Sequence, residues 1–186
     1  YKWYIGHDWD LPIMANTDYI KSPLYDFNSY VKPGVFFKIL NYELGDAQFI
    51  KALQGFVKRW KGKHPTPHDF FFTFMDITGK NLDWLIQPWF FEYGYMDLAI
   101  KEIRFRKNKH KIVVEKRGHY PAPFCLRVIF TDGSEKIIED KASVWKDGKS
   151  VHTVNIKENK KIKSAELVNK FYLDADLSNN IMNYND

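Results

Sequence analysis

The hydrophobic period of this chain changes once, near Ile100, and that change restricts the folds open to it. Before that point the spacing is helical. Val35, Phe36, Ile39, Leu40 and Leu44 recur at helical intervals, and Gly45 stands where a helix stop is expected. Asp46 suits the cap of a second helix, whose apolar positions Phe49, Ile50, Leu53, Phe56, Val57 and Trp60 form one stripe that reads as core packing. Thr66-Pro67-His68-Asp69 is a helix-start signal, with a capping hydroxyl, a proline for the first helical position and a carboxylate to close a capping box. That third helix is expected to run to about Thr78 and Gly79. Asn81 caps a fourth through Leu82, Trp84, Leu85, Trp89 and Phe90, ending at Gly94 with a kink at Pro88. Short connections between these segments predict an antiparallel helical array.

After Ile100 the period is two. Ile103 and Phe105, then Phe124, Leu126, Val128 and Phe130, alternate as strand residues do, and Thr131-Asp132-Gly133-Ser134 is a hairpin signal. Further strand-like runs are Lys111 to Glu115, Glu135 to Glu139, Ser150 to Ile156 and Ser164 to Val168. About seven short strands with regular turns predict a small Ig-like β-sandwich. Helices first and strands second, without alternation, predict a multidomain α and β chain rather than an α/β fold. The expected units are residues 1–100 and 101–186, meeting near residues 95–102.

Composition excludes several classes. Hydrophobic residues are 45% of the 186 and aromatics 17%, too much apolar surface for a disordered chain. No apolar run approaches the roughly 18 to 20 residues of a membrane helix, and no signal-peptide pattern is visible. The single cysteine, Cys125, allows no internal disulfide and no cysteine-rich zinc site; within an alternating apolar strand it reads as an inert core thiol. The net charge is +5, and the whole excess is C-terminal: residues 1–100 carry 10 Lys+Arg against 11 Asp+Glu, residues 101–186 carry 18 against 12. Those lysines concentrate in turn-like stretches such as residues 106–111 and 157–161. With no aromatic-basic motif beside them they read as solvated loops, so no nucleic-acid partner is expected.

The residues alone contain no complete catalytic constellation. Of the six histidines, only His64 and His68 have the spacing of a helical metal pair, but Pro65 and Pro67 interrupt a helix there and the glutamate of a His-Glu-x-x-His motif is absent. His7-Asp8-Trp9-Asp10 offers ligand types without further partners at a recognisable spacing and reads as a polar loop. No phosphate loop, dinucleotide fingerprint or Gly-x-Ser-x-Gly elbow occurs.

The order of the segments carries more. Tyr25-Asp-Phe-Asn-Ser-Tyr30-Val-Lys32-Pro-Gly34 leads into an amphipathic helix. Pro67-His-Asp69-Phe, Gly79-Lys-Asn-Leu-Asp-Trp84 and Gln87-Pro-Trp89 follow in turn. Together these resemble the M1 aminopeptidase family of gluzincin metallopeptidases, in the part of the catalytic domain that follows the zinc site. Gly118-His-Tyr-Pro121-Ala-Pro123, Phe130-Thr-Asp132-Gly133-Ser134, Trp145 and Asp174-Ala-Asp176-Leu-Ser-Asn179-Asn180 resemble the small sandwich that many bacterial members carry, so the match covers about Ser22 to Asn180.

The resemblance implies a zinc-dependent peptidase whose metal is held by a His-Glu-x-x-His helix and a downstream glutamate, all N-terminal to the matched region. The chain, which opens on Tyr1, is accordingly expected to be a C-terminal fragment that binds no zinc itself and hydrolyses no peptide. Its expected partners are a peptide substrate and the N-terminal zinc-binding part of the same protein. In the family, a tyrosine in a Tyr-x-Lys-Gly context stabilises the oxyanion; the matching position is Tyr30, with Lys32 two residues on and Pro33 where glycine is usual. Tyr25 matches a second tyrosine near the substrate. A neutral phenol suits that task, because it can donate to a developing alkoxide at neutral pH from a ring locked at a helix start. The alternative is a binding or spacer module from a degenerate, non-catalytic relative.

Overall fold

The computed structural model describes residues 5–6, 10–21, 24–106, 109–168, 170 and 174–184. Helix α1 (Leu24–Asp26) continues through a π-helical turn (Phe27–Val31) into α2 (Lys32–Leu44), followed by α3 (Asp46–Trp60), α4 (Pro67–Thr78) and α5 (Asp83–Phe91). The punctuation residues act largely as their chemistry dictates. Gly45, at φ 84°, ends α2 and begins α3 together, so Asp46 is the first residue of α3 and its carboxylate accepts from the Asn41 amide at 2.9 Å. Thr66 and Asp69 form the expected capping box, Gly79 stops α4 in the left-handed region, and Asn81 Oδ1 accepts from the Asp83 N–H at 2.8 Å.

The stripe of α3 is only half a core. Phe49 packs on Phe74 and Phe56 on Phe70, but Ile50, Leu53 and Val57 are 47%, 37% and 54% exposed, and Ala52 is the one fully buried residue of the helix. Contact with α2 and α4 covers one side of α3, where a Cβ on Gly55 would strike Ile77, and leaves the rest of the apolar arc open.

Among the described residues seven strands follow: β1 (Leu98–Arg106), β2 (Lys109–Lys116), β3 (Phe124–Phe130), β4 (Glu135–Asp140), β5 (Val151–Ile156), β6 (Ile162–Val168) and β7 (Ile181–Asn183). They form two antiparallel sheets, ordered β1-β2-β5 and β4-β3-β6-β7. The β3–β4 hairpin turns where the sequence signals it, with Gly133 at φ 84° and the Phe130 N–H donating to Ser134 O at 2.9 Å. One core joins the sheets, built from Ile112, Val114 and Val154 of the first and Leu126, Val128 and Ala165 of the second.

A second core lies among the helices, around Phe36, Leu85, Trp89 and Phe90, and it takes in Tyr120, Ala122 and Ala142 from the strand-rich half. The segment 118–123, between β2 and β3, makes this connection. Trp89 Nε1 donates to Pro121 O at 3.0 Å, Trp145 Nε1 donates to Ala122 O at 2.8 Å, and Tyr120 stacks on Trp89 with ring centroids 4.7 Å apart. Close approach is possible because residue 118 is glycine: a Cβ there would lie 2.4 Å from Tyr95 O and 2.5 Å from Asp97 N.

Those distances distinguish two glycines. Gly118→Ala is expected to destabilise the chain by about 1–3 kcal/mol, because backbone rather than a side-chain tip must move. Gly34→Ala, in the first turn of α2 with nothing within 4 Å of the new methyl, is expected to stabilise it by about 0.5–1 kcal/mol. Urea denaturation of both variants checks the opposite signs.

Candidate functional site

Tyr25 is the second residue of one continuous helix and Tyr30 lies within its π turn, so Tyr30 is not at the expected helix start. Pro33 favours the wide turn from the chain side. Its nitrogen cannot donate and its ring displaces the carbonyl four residues back, so the turn ahead of it widens; the Lys32 N–H bonds to Phe27 O, five residues earlier. In a regular α-helix, residues five apart point about 140° away from each other. The widened turn brings them to one face: the two rings meet edge-on, centroids 6.2 Å apart at 68°.

Tyr30 is 65% exposed, and Tyr25 is its ring neighbour. The Tyr30 phenol beside Tyr25 is the first cause that pushes the Tyr25 phenol above its usual value. The arrangement offers two adjacent phenols on an open surface.

The opposite side of the turn is anchored. Lys32 is completely buried, and its ammonium donates to Asp10 Oδ1 at 2.7 Å, Leu11 O at 2.6 Å and the Tyr120 hydroxyl at 3.0 Å. The ammonium also sits 4.7 Å from the centre of the Tyr120 ring. Burial pushes the Asp10 carboxyl above its usual range and the Lys32 ammonium below its own, while each partner's charge opposes the shift. The Tyr120 hydroxyl in turn donates to Glu92 O at 2.9 Å, and burial holds that phenol well above its ordinary value. Asn28, one turn before Lys32, donates to Pro12 O at 3.2 Å. Residues 10–12 thus form a strap gripped at both ends of the turn, and Ile13 and Met14 tie it to Trp89 O and Phe90 O.

Sequence reasoning missed Asp10, Asn28 and Tyr120 in this role and treated Lys32 only as part of a motif. One signal was present. Lys32 and Glu43 share the apolar stripe of Phe36, Ile39 and Leu40, and both are buried. A charge on a core stripe requires partners, and Glu43 has them too: Oε2 accepts from the Ser143 N–H at 3.1 Å and its backbone carbonyl from Lys141 at 2.8 Å.

Among the described residues no group of three or more His, Cys, Asp or Glu side chains could hold a metal ion, so they offer no set of ligands for a zinc. His68 stacks on Phe91, 5.6 Å between centroids, just past the Thr66 cap. His7, Asp8 and Trp9 lie outside the described residues, as do Ser22, Lys107 and Asn108. Cys125 is buried in β3, and that burial raises its thiol. Among the described residues no helix is long and apolar enough to cross a membrane.

No protein-family model matches the chain. In structure it is similar to the crystal structure of Legionella pneumophila aminopeptidase A in complex with aspartic acid, with a TM-score of 0.61 and 18% sequence identity. The likeness covers 77% of this chain and 17% of that one, so the chain spans about a sixth of that protein's length. At that identity the shared property is the fold: helices followed by antiparallel sheets, in an arrangement found within an aminopeptidase.

The buried ion pair makes a stability prediction with a definite sign. Asp10→Ala leaves a buried ammonium without its counter-charge and is expected to cost about 3–5 kcal/mol. Replacing both partners, as in Asp10→Leu with Lys32→Met, removes the charge altogether and is expected to give a more stable protein than either single change. Chemical denaturation of the three variants decides it.

Proposed function

We propose that this chain is the C-terminal part of a zinc-dependent, aminopeptidase-like metallopeptidase of the M1 (gluzincin) family. In this reading residues 1–100 complete the catalytic domain and residues 101–186 form an Ig-like sandwich; the sheet orders β1-β2-β5 and β4-β3-β6-β7 support the latter. The observation that carries the proposal is the pairing of Tyr25 and Tyr30 on one open helix face, in a fold similar to part of an aminopeptidase. The zinc belongs to the N-terminal part of the same protein, and the substrate is a peptide.

The role assigned to this chain follows from the phenols. As a nucleophile adds to a peptide carbonyl, negative charge gathers on its oxygen, and the Tyr30 O–H donates to that oxygen more strongly than to the neutral carbonyl. Tyr25, beside it, contacts the bound peptide and limits the orientations open to the Tyr30 ring. Neither phenol transfers a proton in the step. In this reading the nucleophile and the metal come from the N-terminal part. The chain alone is expected to show no peptidase activity and no stoichiometric zinc by elemental analysis, and one tightly held zinc per chain would contradict that.

Kinetics of the intact protein provide the functional test. Tyr30→Phe keeps the ring and removes the donor, so kcat is expected to fall about 10²- to 10³-fold, as for loss of one oxyanion donor, with a much smaller change in KM. Wild-type kcat in a folded, zinc-loaded variant would return Tyr30 to a packing role.

A further inference from the structure

We propose that Lys32 is the positioning residue of the tyrosine pair: the clamp on its buried ammonium holds the π turn in the register that brings Tyr25 and Tyr30 together. The catalytic consequence of this inference rests on the reading of Tyr30 given above; the structural part does not.

The turn has two available registers. With ordinary i to i−4 bonding, Tyr25 and Tyr30 diverge by about 140°, and no ring contact is possible across the helix. With the wider bonding they share a face. The residue that closes the wide turn is Lys32, through its backbone N–H to Phe27 O, and the same residue carries the side chain held by three acceptors. Those acceptors come from the strap carboxylate of Asp10, the strap carbonyl of Leu11 and the Tyr120 hydroxyl, 88 positions along the chain. Asn28 holds the other end of the turn to Pro12 O on the same strap.

The strap sets the spacing of these two anchors. Sliding the turn into the α register would rotate Asn28 relative to Lys32 and break one anchor or the other. An apolar side chain of similar length would fill the space of Lys32 but prefer neither register, because dispersion contacts have little direction. An ammonium with a carboxylate, a carbonyl and a hydroxyl around it has a fixed direction, and once buried it cannot exchange those acceptors for water. A buried charge therefore serves here where a leucine would pack more cheaply.

The test uses this chain and the intact protein together. In the chain, ring-labelled tyrosine NMR reads the Tyr25–Tyr30 contact directly. The Asp10→Leu/Lys32→Met variant is expected to stay folded and lose that contact; a folded variant that keeps it overturns the proposal. If that variant does not fold, Asp10→Asn, which keeps the shape and removes the counter-charge, takes its place: a weakened contact supports the proposal and an unchanged one overturns it.

In the intact protein, the double variant is expected to lower kcat about 10- to 100-fold, as a misplaced group does, with KM moving less than about threefold. Adding Tyr30→Phe to it should cost little more, because both changes act through one hydroxyl. If Tyr30→Phe lowers kcat and the double variant does not, Lys32 is no positioning residue and the oxyanion reading stands. If Tyr30→Phe leaves kcat unchanged, the oxyanion reading fails, and the NMR result alone decides the structural role of Lys32.

Discussion

A single ammonium, excluded from water, ties this structure together. Lys32 reaches from the first turn of α2 to the strap at residues 10–12 and to Tyr120, which belongs to the segment that docks the sheets on the helices. Taking that charge out of water costs several kcal/mol, and the cost is offset only if its acceptors stay where they are. The strap, the helix and the Tyr120 segment must therefore form together. Trp89 strengthens the same junction by stacking on Tyr120 and donating to Pro121 O, and Gly118 lets the backbone approach closely enough for both.

The surface beyond this junction gains its order from it. Tyr25 and Tyr30 are exposed side chains on a helix that would ordinarily point them apart, and in isolation they would have little to fix them. Pro33 makes a wide turn favourable on the chain side, while Lys32 and Asn28 hold it from the strap. A rigid interior thus presents two adjacent phenols without burying either, as the proposed role of Tyr30 requires. Preorganised donors stabilise developing charge because their orientation is settled before the reaction starts.

Much of this was legible in the sequence wherever local chemistry decides. Gly45, Thr66 with Asp69, Gly79 and Asn81 mark helix ends because each satisfies orphan backbone groups or adopts a backbone shape that few residues can. The alternation of Phe124 to Phe130 and the turn at Gly133 place β3 and β4 for similar reasons. β7 escaped notice because three residues are too few to show a period. The open arc of α3 escaped because periodicity shows that a stripe is apolar and not whether a neighbour covers it. The candidate site was legible only as a pair of tyrosines. Spacing rules assume 3.6 residues per turn, so the five-residue interval between them gave no sign that they meet. Pro33 hinted at a distortion, but the partners that stabilise it, Asp10 and Tyr120, are 22 and 88 positions from Lys32 and carry no local signature.

The central claim is that this anchored turn delivers the Tyr30 hydroxyl to a reacting carbonyl. A crystal structure of the intact protein with a tetrahedral peptide analogue tests it most directly. The Tyr30 hydroxyl is expected within about 2.6–3.2 Å of the oxygen that mimics the oxyanion, with Lys32 still held by Asp10 and Tyr25 still against the Tyr30 ring. An analogue bound elsewhere, with Tyr30 left facing solvent, would contradict it.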